Sequence, residues 1–262
     1  LAAIITGTTS DDTGPTPRTD RSAPSPHDGA TTALRVGALN GPKVTDVDLD
    51  VGAGEVVAVT GLIGSGRSEL GRLVFGAQEA LSGTVAIGGV DYGRRDPVAS
   101  TRRGIGYVPQ ERSQAGFASL DLVENATMTR VDTFVTGIAL SGARRRADTV
   151  AAIAALDVRP SDPSRVLREL SGGNQQKVIL AKWLALDLRL LILDEPTYGV
   201  DVGARRLIMD AVVSRARSTG MGVLLLDSDI DLVATYADRV LVMREGSIIS
   251  SLTGDRITVD RI

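Results

Sequence analysis

Length, composition and charge limit the classes of protein to which this chain can belong. Its 262 residues, 43% of them hydrophobic, suffice for one large α/β domain or one domain with a sub-domain. Aromatic residues make up only 3%, so the core must be built from Val, Leu, Ile and Ala. A formal net charge of −3 argues against a nucleic-acid surface, and the lack of cysteine excludes disulfides, thiolate metal sites and a catalytic thiol.

The first 32 residues predict a solvated, disordered linker that follows the end of a preceding domain. They are dominated from about residue 6 by Thr, Ser, Asp, Gly and Pro, without apolar periodicity, and they contain the only histidine, His27. The chain begins with Leu1 and not with methionine, so we expect a piece of a longer chain whose folded domain covers residues 33–262. No run of 18 apolar residues occurs, so any membrane spans would belong to partner proteins.

The apolar pattern after residue 33 predicts an α/β fold. Alternating apolar residues predict a small antiparallel β layer, and they are Leu34, Val36, Val47, Leu49 and Val51. All-apolar runs predict buried strands at residues 56–59, 190–193, 223–226 and 240–243. Because these strands alternate with helical segments, we expect a mainly parallel sheet with ligands at the carboxyl ends of its strands. Helical spacing over about residues 118–170 predicts an inserted helical sub-domain.

The segment Gly61-Leu62-Ile63-Gly64-Ser65-Gly66-Arg67-Ser68 has the spacing of a phosphate-binding loop, the P-loop, with arginine in the lysine position. Its glycines permit positive φ, so successive N–H groups can point into one concavity that suits a phosphate. A helix beginning near Arg67 would add its positive dipole end. The alternative is an ordinary glycine turn between a strand and a helix.

Two further segments point to phosphate chemistry. Four apolar residues followed by Asp194 and Glu195 are typical of a strand end that holds Mg²⁺ through Asp194 and orients water through Glu195. The sequence Leu-Ser-Gly-Gly-Asn-Gln-Gln-Lys at 170–177 places a second cluster of N–H groups before a helix. One nucleotide does not need two such clusters, so we interpret the second as the cover of a nucleotide held by another copy of the fold.

With Gln110 and the segment Pro196-Thr197-Tyr198-Gly199-Val200-Asp201, these motifs resemble those of the ATP-binding cassette (ABC) family, in the family's order, over about residues 33–256. The octapeptide at 170–177, the segment at 197–204 and the P-loop arginine are similar to the second ATPase half of ribose-, xylose- and galactose-type importers. The resemblance implies a P-loop NTPase with a RecA-like parallel sheet core, an N-terminal antiparallel β layer and an inserted helical sub-domain. In that subfamily two cassettes are fused in one polypeptide.

The resemblance also implies cofactors, site residues and partners. The cofactors are ATP and Mg²⁺; Ser68, Gln110 and Asp194 are the expected metal site, and Glu195, Gln110 and Ser228 the catalytic group. The expected nucleotide-binding residues are Gly61, Gly64, Ser65, Gly66, Arg67, Ser68, Glu69, Ser171, Gly172 and Gly173. The expected partners are a second cassette, in the same polypeptide or as a homodimer, membrane-spanning permease subunits and, indirectly, a sugar-binding protein, with no nucleic acid. The location would be the cytoplasmic face of the cell membrane.

Departures from the family pattern predict an asymmetric pair of sites. Arg67 replaces a lysine, Ser228 stands where a switch histidine is expected, and no aromatic residue for adenine stacking lies near residues 36–40. We expect the site at 61–68 to bind nucleotide and hydrolyse it slowly, while Ser171, Gly172 and Gly173 complete the partner's site. Alternatives are a non-hydrolysing regulatory module and a soluble ABC protein acting on ribosomes or DNA. Residues 111–114 are either a solvated loop or a surface for a membrane partner.

Overall fold

The computed structural model describes residues 32–262. The predicted linker, with His27, lies outside the described residues except for Thr32, which begins the first strand. The described chain forms two compact units. We call residues 32–107, Leu188–Glu195 and Ala216–Ile262 the sheet unit, and Val108–Asp187 with Pro196–Arg215 the helical unit.

The sheet unit is built on a six-stranded sheet with the order β12-β11-β3-β10-β9-β6. Its strands are β3 (Val56–Thr60), β6 (Ile105–Val108), β9 (Leu190–Asp194), β10 (Gly222–Leu226), β11 (Arg239–Arg244) and β12 (Ser247–Thr253). β10 pairs parallel with β3 and β9, β11 pairs parallel with β3, and β12 pairs antiparallel with β11. Strands β3, β9 and β10 are buried throughout, which confirms the mainly parallel, all-apolar core predicted from the sequence.

A second sheet in this unit has four strands in the order β2-β1-β4-β5. These strands are β1 (Thr32–Asn40), β2 (Val47–Gly52), β4 (Ser82–Ile87) and β5 (Val90–Asp91). β1 pairs antiparallel with both β2 and β4, as the alternating apolar pattern predicts. The alternation buries one face, where Leu34, Val36, Val47 and Val51 are at most 2% exposed.

Three helices complete the sheet unit, namely α1 (Arg67–Phe75), α2 (Pro97–Arg102) and α7 (Ile230–Tyr236). Helix α1 is followed by Gly76, whose φ of 79° is typical of a glycine that terminates a helix. A Cβ atom at Gly71 would lie 2.6 Å from Leu226 Cδ1 and 3.4 Å from Ile192 Cγ2. Glycine at this position lets α1 lie close against β9 and β10, which fixes the start of the helix beside the ends of those strands.

The helical unit contains α3 (Leu122–Thr127), α4 (Gly142–Ala155) and α5 (Gly172–Leu184), and α6 (Val202–Thr219) begins in it. Its core consists of buried apolar residues, namely Leu122, Ala152, Ile153, Leu156, Val158, Leu167, Leu170, Val178 and Ala181. It also holds a hairpin of β7 (Val135–Thr136) and β8 (Ala139–Leu140), which the helical spacing did not predict. Two-residue strands carry too few residues for a period-2 pattern.

Candidate functional site

The P-loop, residues 61–68, runs from the end of β3 into the first turn of α1. Gly61, Gly64 and Gly66 all have positive φ, and at two of them a side chain would also clash. Gly61 has a φ of 153°, and a Cβ there would lie 2.1 Å from the carbonyl oxygen of Met243. Gly66 has a φ of 105°, and its Cβ would lie 2.6 Å from the carbonyl oxygen of Lys43. At Gly64, by contrast, a Cβ would meet no atom within 4 Å. The loop is therefore held tightly at both ends and is open in the middle.

Two buried polar atoms of this loop have no hydrogen-bond partner, Ser65 Oγ and Arg67 Nη1. Ser65 is 6% exposed and Arg67 is 8% exposed. Buried donors without a partner are uncommon in native proteins, because their desolvation is not compensated. A hydroxyl and a guanidinium N–H beside the positive end of α1 suit an anion with oxygen acceptors, such as a phosphate.

Ser68, in the first turn of α1, meets Asp194, at the carboxyl end of β9. Ser68 Oγ donates to Asp194 Oδ1 at 2.8 Å, and Tyr107 Oη donates to Asp194 Oδ2 at 3.2 Å. Burial raises the pKa of Asp194, against the opposing effect of its hydrogen bonds with Ser68 and Tyr107. A hydroxyl next to a carboxylate offers the oxygen ligands that Mg²⁺ prefers. Tyr107 belongs to no sequence motif; its only signal is that it is a polar aromatic residue near the end of a buried strand.

Glu195 is tied to two of the residues predicted to act with it. Its Oε1 accepts from Arg67 Nη2 at 3.2 Å, from Ser228 Oγ at 2.7 Å and from Ser228 N at 3.2 Å. The side chains of Arg67 and Glu195 are 9% and 13% exposed, so this ion pair is largely removed from water. One carboxylate oxygen of the predicted catalytic base therefore accepts three hydrogen bonds.

A second buried carboxyl group, Asp227, follows β10 directly and was missed in the sequence analysis. Asp227 is 2% exposed; its Oδ1 accepts from Asp229 N at 2.9 Å, whereas its Oδ2 has no partner. Burial raises the pKa of Asp227 to about 7; the negative charges of Glu195 and Asp229 add to this, and Arg67 opposes it. The signal was an acidic residue directly after an all-apolar strand.

Glu69, which the sequence analysis predicted to bind nucleotide, lies in the first turn of α1 and is 4% exposed. Its Oε1 accepts from Lys43 N at 2.8 Å. One oxygen of this buried carboxylate is thus bonded to the backbone, so the group that Glu69 can offer a nucleotide is its own backbone N–H.

The remaining predicted site residues lie in the helical unit. Ser171 is the N-cap of α5, and its Oγ accepts from Asn174 Nδ2 at 2.9 Å. Gly172 and Gly173 form the first helical turn, whose N–H groups have no partners within the helix. Gln110 is exposed in the loop after β6. The sheet unit therefore brings together Ser65, Arg67, Ser68, Asp194, Glu195 and Ser228, and the helical unit carries Gln110 and the Ser171–Gly173 turn.

The parallel sheet, the glycine loop between β3 and α1 and the paired Ser68 and Asp194 define a P-loop NTPase domain, as the sequence predicted. Residues 44–198 match the family model described as ABC transporter, and the chain belongs to this family. Among the described residues, no helix combines the length and the apolar character that crossing a bilayer requires.

Curated relatives identify the branch of the family that this chain resembles. The ribose import ATP-binding protein RbsA of Yersinia pestis is 39% identical over 224 residues, which are 85% of this chain and 44% of the relative. RbsA 1 of Streptomyces avermitilis is 41% identical over 220 residues, which are 83% of this chain and 42% of the relative. The chain thus resembles the ATP-binding proteins of monosaccharide importers, and it spans less than half the length of these relatives.

Solved structures show the same fold. A dimeric ATP-binding cassette in a post-hydrolysis state, bound to ADP and Pi, superposes with a TM-score of 0.74 at 22% identity, covering 84% of this chain and 98% of that one. The cassette cbiO1 of Clostridium perfringens superposes with a TM-score of 0.70 at 26% identity, covering 84% of this chain and 88% of that one. These similarities confirm the α/β cassette architecture.

Proposed function

We propose that this chain is an ATP-binding cassette that drives a monosaccharide importer from the cytoplasmic face of the membrane. Its partners are a second cassette, permease subunits and, indirectly, a sugar-binding protein. In this proposal the site at residues 61–68 holds nucleotide with Mg²⁺ and hydrolyses it slowly. The turn at Ser171, Gly172 and Gly173 completes the hydrolysing site on the second cassette.

The observation that carries the proposal of a slow site is the buried ion pair of Arg67 and Glu195. When bound, ATP supplies a phosphoanhydride that water can cleave. Glu195 can orient and deprotonate that water only through a carboxylate oxygen that is free to accept its proton. Glu195 Oε1 already accepts hydrogen bonds from Arg67 and Ser228, so only one of the two carboxylate oxygens is free to act on water.

The same ion pair limits how many nitrogens of Arg67 can bind a phosphate. Separating a buried pair by removing one partner costs about 3–5 kcal/mol, because the remaining charge stays buried without compensation. Arg67 Nη1 has no partner and can bind a phosphate oxygen while Nη2 keeps its bond to Glu195. An arginine at position 67 can therefore bind the nucleotide's phosphate and stay hydrogen-bonded to the Glu195 carboxylate at the same time.

A partner surface over this site is supported by the exposed apolar residues of the P-loop. Leu62 is 82% exposed and Ile63 is 96% exposed, in a loop that is otherwise mostly glycine and serine. Adjacent exposed apolar side chains beside a polar site are typical of a protein interface. We propose that the second cassette covers them.

The test is ATP hydrolysis by the assembled transporter. Glu195→Gln should leave the rate within about twofold of the wild type, because this site contributes little turnover. Ser171→Arg should lower the rate by about 10²–10³-fold, since a transition-state electrostatic contact is lost at the partner's site. Glu79→Gln, at an exposed position, is the matched control for the amide substitution.

Two results would contradict this assignment of roles. A rate that Glu195→Gln abolishes would show that this site is a main source of hydrolysis. A rate that survives Ser171→Arg would show that the turn does not complete an active site.

The second candidate is a regulatory nucleotide-binding module without hydrolysis, which the Arg67–Glu195 pair also favours. It differs from the first in predicting that the Ser171–Gly173 turn has no part in hydrolysis. If Ser171→Arg leaves hydrolysis unchanged while nucleotide still binds to residues 61–68, the regulatory module is the better description.

A further inference from the structure

Arg112 lies two residues after Gln110, in a 3-10 turn over Arg112–Gln114 within the helical unit. Its Nη2 donates to the carbonyl oxygens of Tyr198 at 2.5 Å and Gly199 at 3.2 Å. These carbonyls belong to the segment 196–201, which we call the D-loop. Arg112 and the D-loop are 86 residues apart in sequence, so this contact is created by the tertiary fold alone.

The same guanidinium lies against the turn that begins α5. A Cβ at Gly172 would lie 2.7 Å from Arg112 Nη1, and a Cβ at Gly199 would lie 3.2 Å from Nη2. Any side chain at Gly172 would push the guanidinium away. One planar group thus contacts the Ser171–Gly173 turn on one side and the D-loop backbone on the other.

The hydrogen-bond partners of Arg112 are backbone carbonyl oxygens. Within residues 32–262, no carboxylate pairs with its guanidinium. Asp201, the acidic residue of the D-loop, accepts from Ala204 N at 2.9 Å and caps α6 instead. One nitrogen, Nη2, makes both bonds to the D-loop, while Nη1 lies toward Gly172. A lysine has a single nitrogen and cannot contact both segments in this way.

We propose that Arg112 is a positioning residue that holds the D-loop in register with the Ser171–Gly173 turn. The proposal rests on the proposed function, in which this turn is presented to the nucleotide of the second cassette. With Arg112 in place, the backbone of the turn and that of the D-loop form one rigid surface. Without it, the D-loop loses two charge-assisted hydrogen bonds, and the turn loses the group packed on Gly172.

The experiment uses Arg112→Ala, Arg112→Lys and Arg168→Ala in the assembled transporter, with ATP hydrolysis as the readout. Arg168 is an exposed arginine of the same unit and serves as the matched control. We expect Arg112→Ala to lower kcat by about 10–100-fold with little change in the KM for ATP, since misplaced catalytic surfaces reduce turnover by such factors. Arg112→Lys should also be slow, and Arg168→Ala should match the wild type.

Chemical rescue distinguishes positioning from a general loss of structure. Guanidinium ion at about millimolar concentration should restore part of the kcat of Arg112→Ala, because it can bond both carbonyls through one nitrogen and lie against Gly172 with another. Methylammonium should not restore it. Wild-type kcat and KM in Arg112→Ala would overturn the proposal. A lower Tm together with a lost kcat that guanidinium does not restore would overturn it too, since Arg112 would then act only through stability.

Ser171→Arg in the same assay separates this proposal from the proposed function. If Ser171→Arg abolishes hydrolysis and Arg112→Ala does not lower it, only the role of Arg112 is wrong. If Ser171→Arg leaves hydrolysis intact, the role of the turn is wrong, and with it the basis for positioning by Arg112.

Discussion

Arg67 is the residue at which this P-loop departs most from a lysine-containing one. Lysine is a flexible point charge, whereas the planar guanidinium can bond a carboxylate with one nitrogen and another acceptor with a second. In this protein Arg67 Nη2 donates to the carboxylate of Glu195, and Nη1 has no hydrogen-bond partner. A single substitution in the loop thus also changes the surroundings of the predicted catalytic base, at the end of a different strand.

Restoring the usual residues should therefore release Glu195. In the variant Arg67→Lys with Ser228→His, the lysine has a single nitrogen and cannot bond Glu195 and phosphate through two separate nitrogens. The histidine adds a side chain that can donate or accept a proton near neutral pH. We expect the rate at this site to rise by about tenfold or more and to become sensitive to Glu195→Gln. The measurement is ATP hydrolysis with and without Glu195→Gln in that background. No gain in rate would show that factors other than these two residues limit the site.

Asp227 makes folding stability depend on pH. Its pKa is about 7 in the folded chain and 3.8 in its unperturbed state, so the folded chain binds a proton that the unfolded chain has released in this interval. The free energy of unfolding should consequently fall as pH rises from about 4 to about 7. Asp227→Asn has no carboxyl group to titrate at this position. Its free energy of unfolding, minus that of the wild type, should therefore increase as pH rises over the same interval. Urea denaturation of both proteins at pH 5, 6, 7 and 8 measures it; parallel pH profiles would contradict the prediction.

At the scale of the element, the P-loop depends on different glycines for different reasons. Gly66 combines a φ of 105° with a backbone oxygen 2.6 Å from the position of a Cβ, whereas Gly64 has a φ of 87° and open space. Both positions disfavour a side chain through the backbone conformation, which costs about 1–2 kcal/mol. Only Gly66 adds a steric clash, with Lys43.

Gly66→Ala should therefore destabilise the chain more than Gly64→Ala. We expect about 1–2 kcal/mol for Gly64→Ala from the backbone strain alone, and a clearly larger loss for Gly66→Ala. The free energy of unfolding from urea titrations compares the two, with Gly64→Ala as the matched control. Equal losses in the two variants would mean that Lys43 moves away without cost.

At the scale of the whole molecule, distant segments of the sheet unit are joined by one arginine, Arg239, which pairs with a buried and a partly exposed carboxylate. Arg239 on β11 donates to both oxygens of Glu55, at 3.0 and 3.2 Å, and to the backbone oxygen of Asp50 on β2 at 2.7 Å. Arg239 is separated from Glu55 by 184 residues and from Asp50 by 189. The arginine thus links the four-stranded sheet to the six-stranded one.

Arg239→Met should lower the free energy of unfolding by about 3–5 kcal/mol, because Glu55 would stay buried without a counter-charge. Glu55 is only 6% exposed, so water cannot replace the guanidinium. The control is Arg165→Met, which breaks an exposed pair with Glu169 and should cost less than about 1 kcal/mol. Thermal or urea unfolding measures both, and similar losses in the two variants would refute the argument.

The sequence alone determined the strands, the P-loop and the family. Short all-apolar runs with polar residues on both sides, such as residues 190–193, are typical of buried strands. Glycines at 61 and 66 mark backbone that other residues rarely adopt. Both signals are local in the chain. It did not reveal the hairpin β7–β8, whose strands are too short for a pattern. The boundaries of the linker and the roles of Gln110 and Ser171 stay predictions.

Only the tertiary structure decided which side chains meet. Arg67 and Glu195 lie 128 residues apart, and Tyr107 and Asp194 lie 87 apart. Their contacts follow from the order of strands β3, β10 and β9, which places the carboxyl ends of strands remote in sequence at one edge of the sheet. Strand order arises from the packing of crossover helices against the sheet, and it leaves no local pattern in the sequence. The motifs could therefore be predicted from the sequence, whereas the ion pair between Arg67 and Glu195 could not.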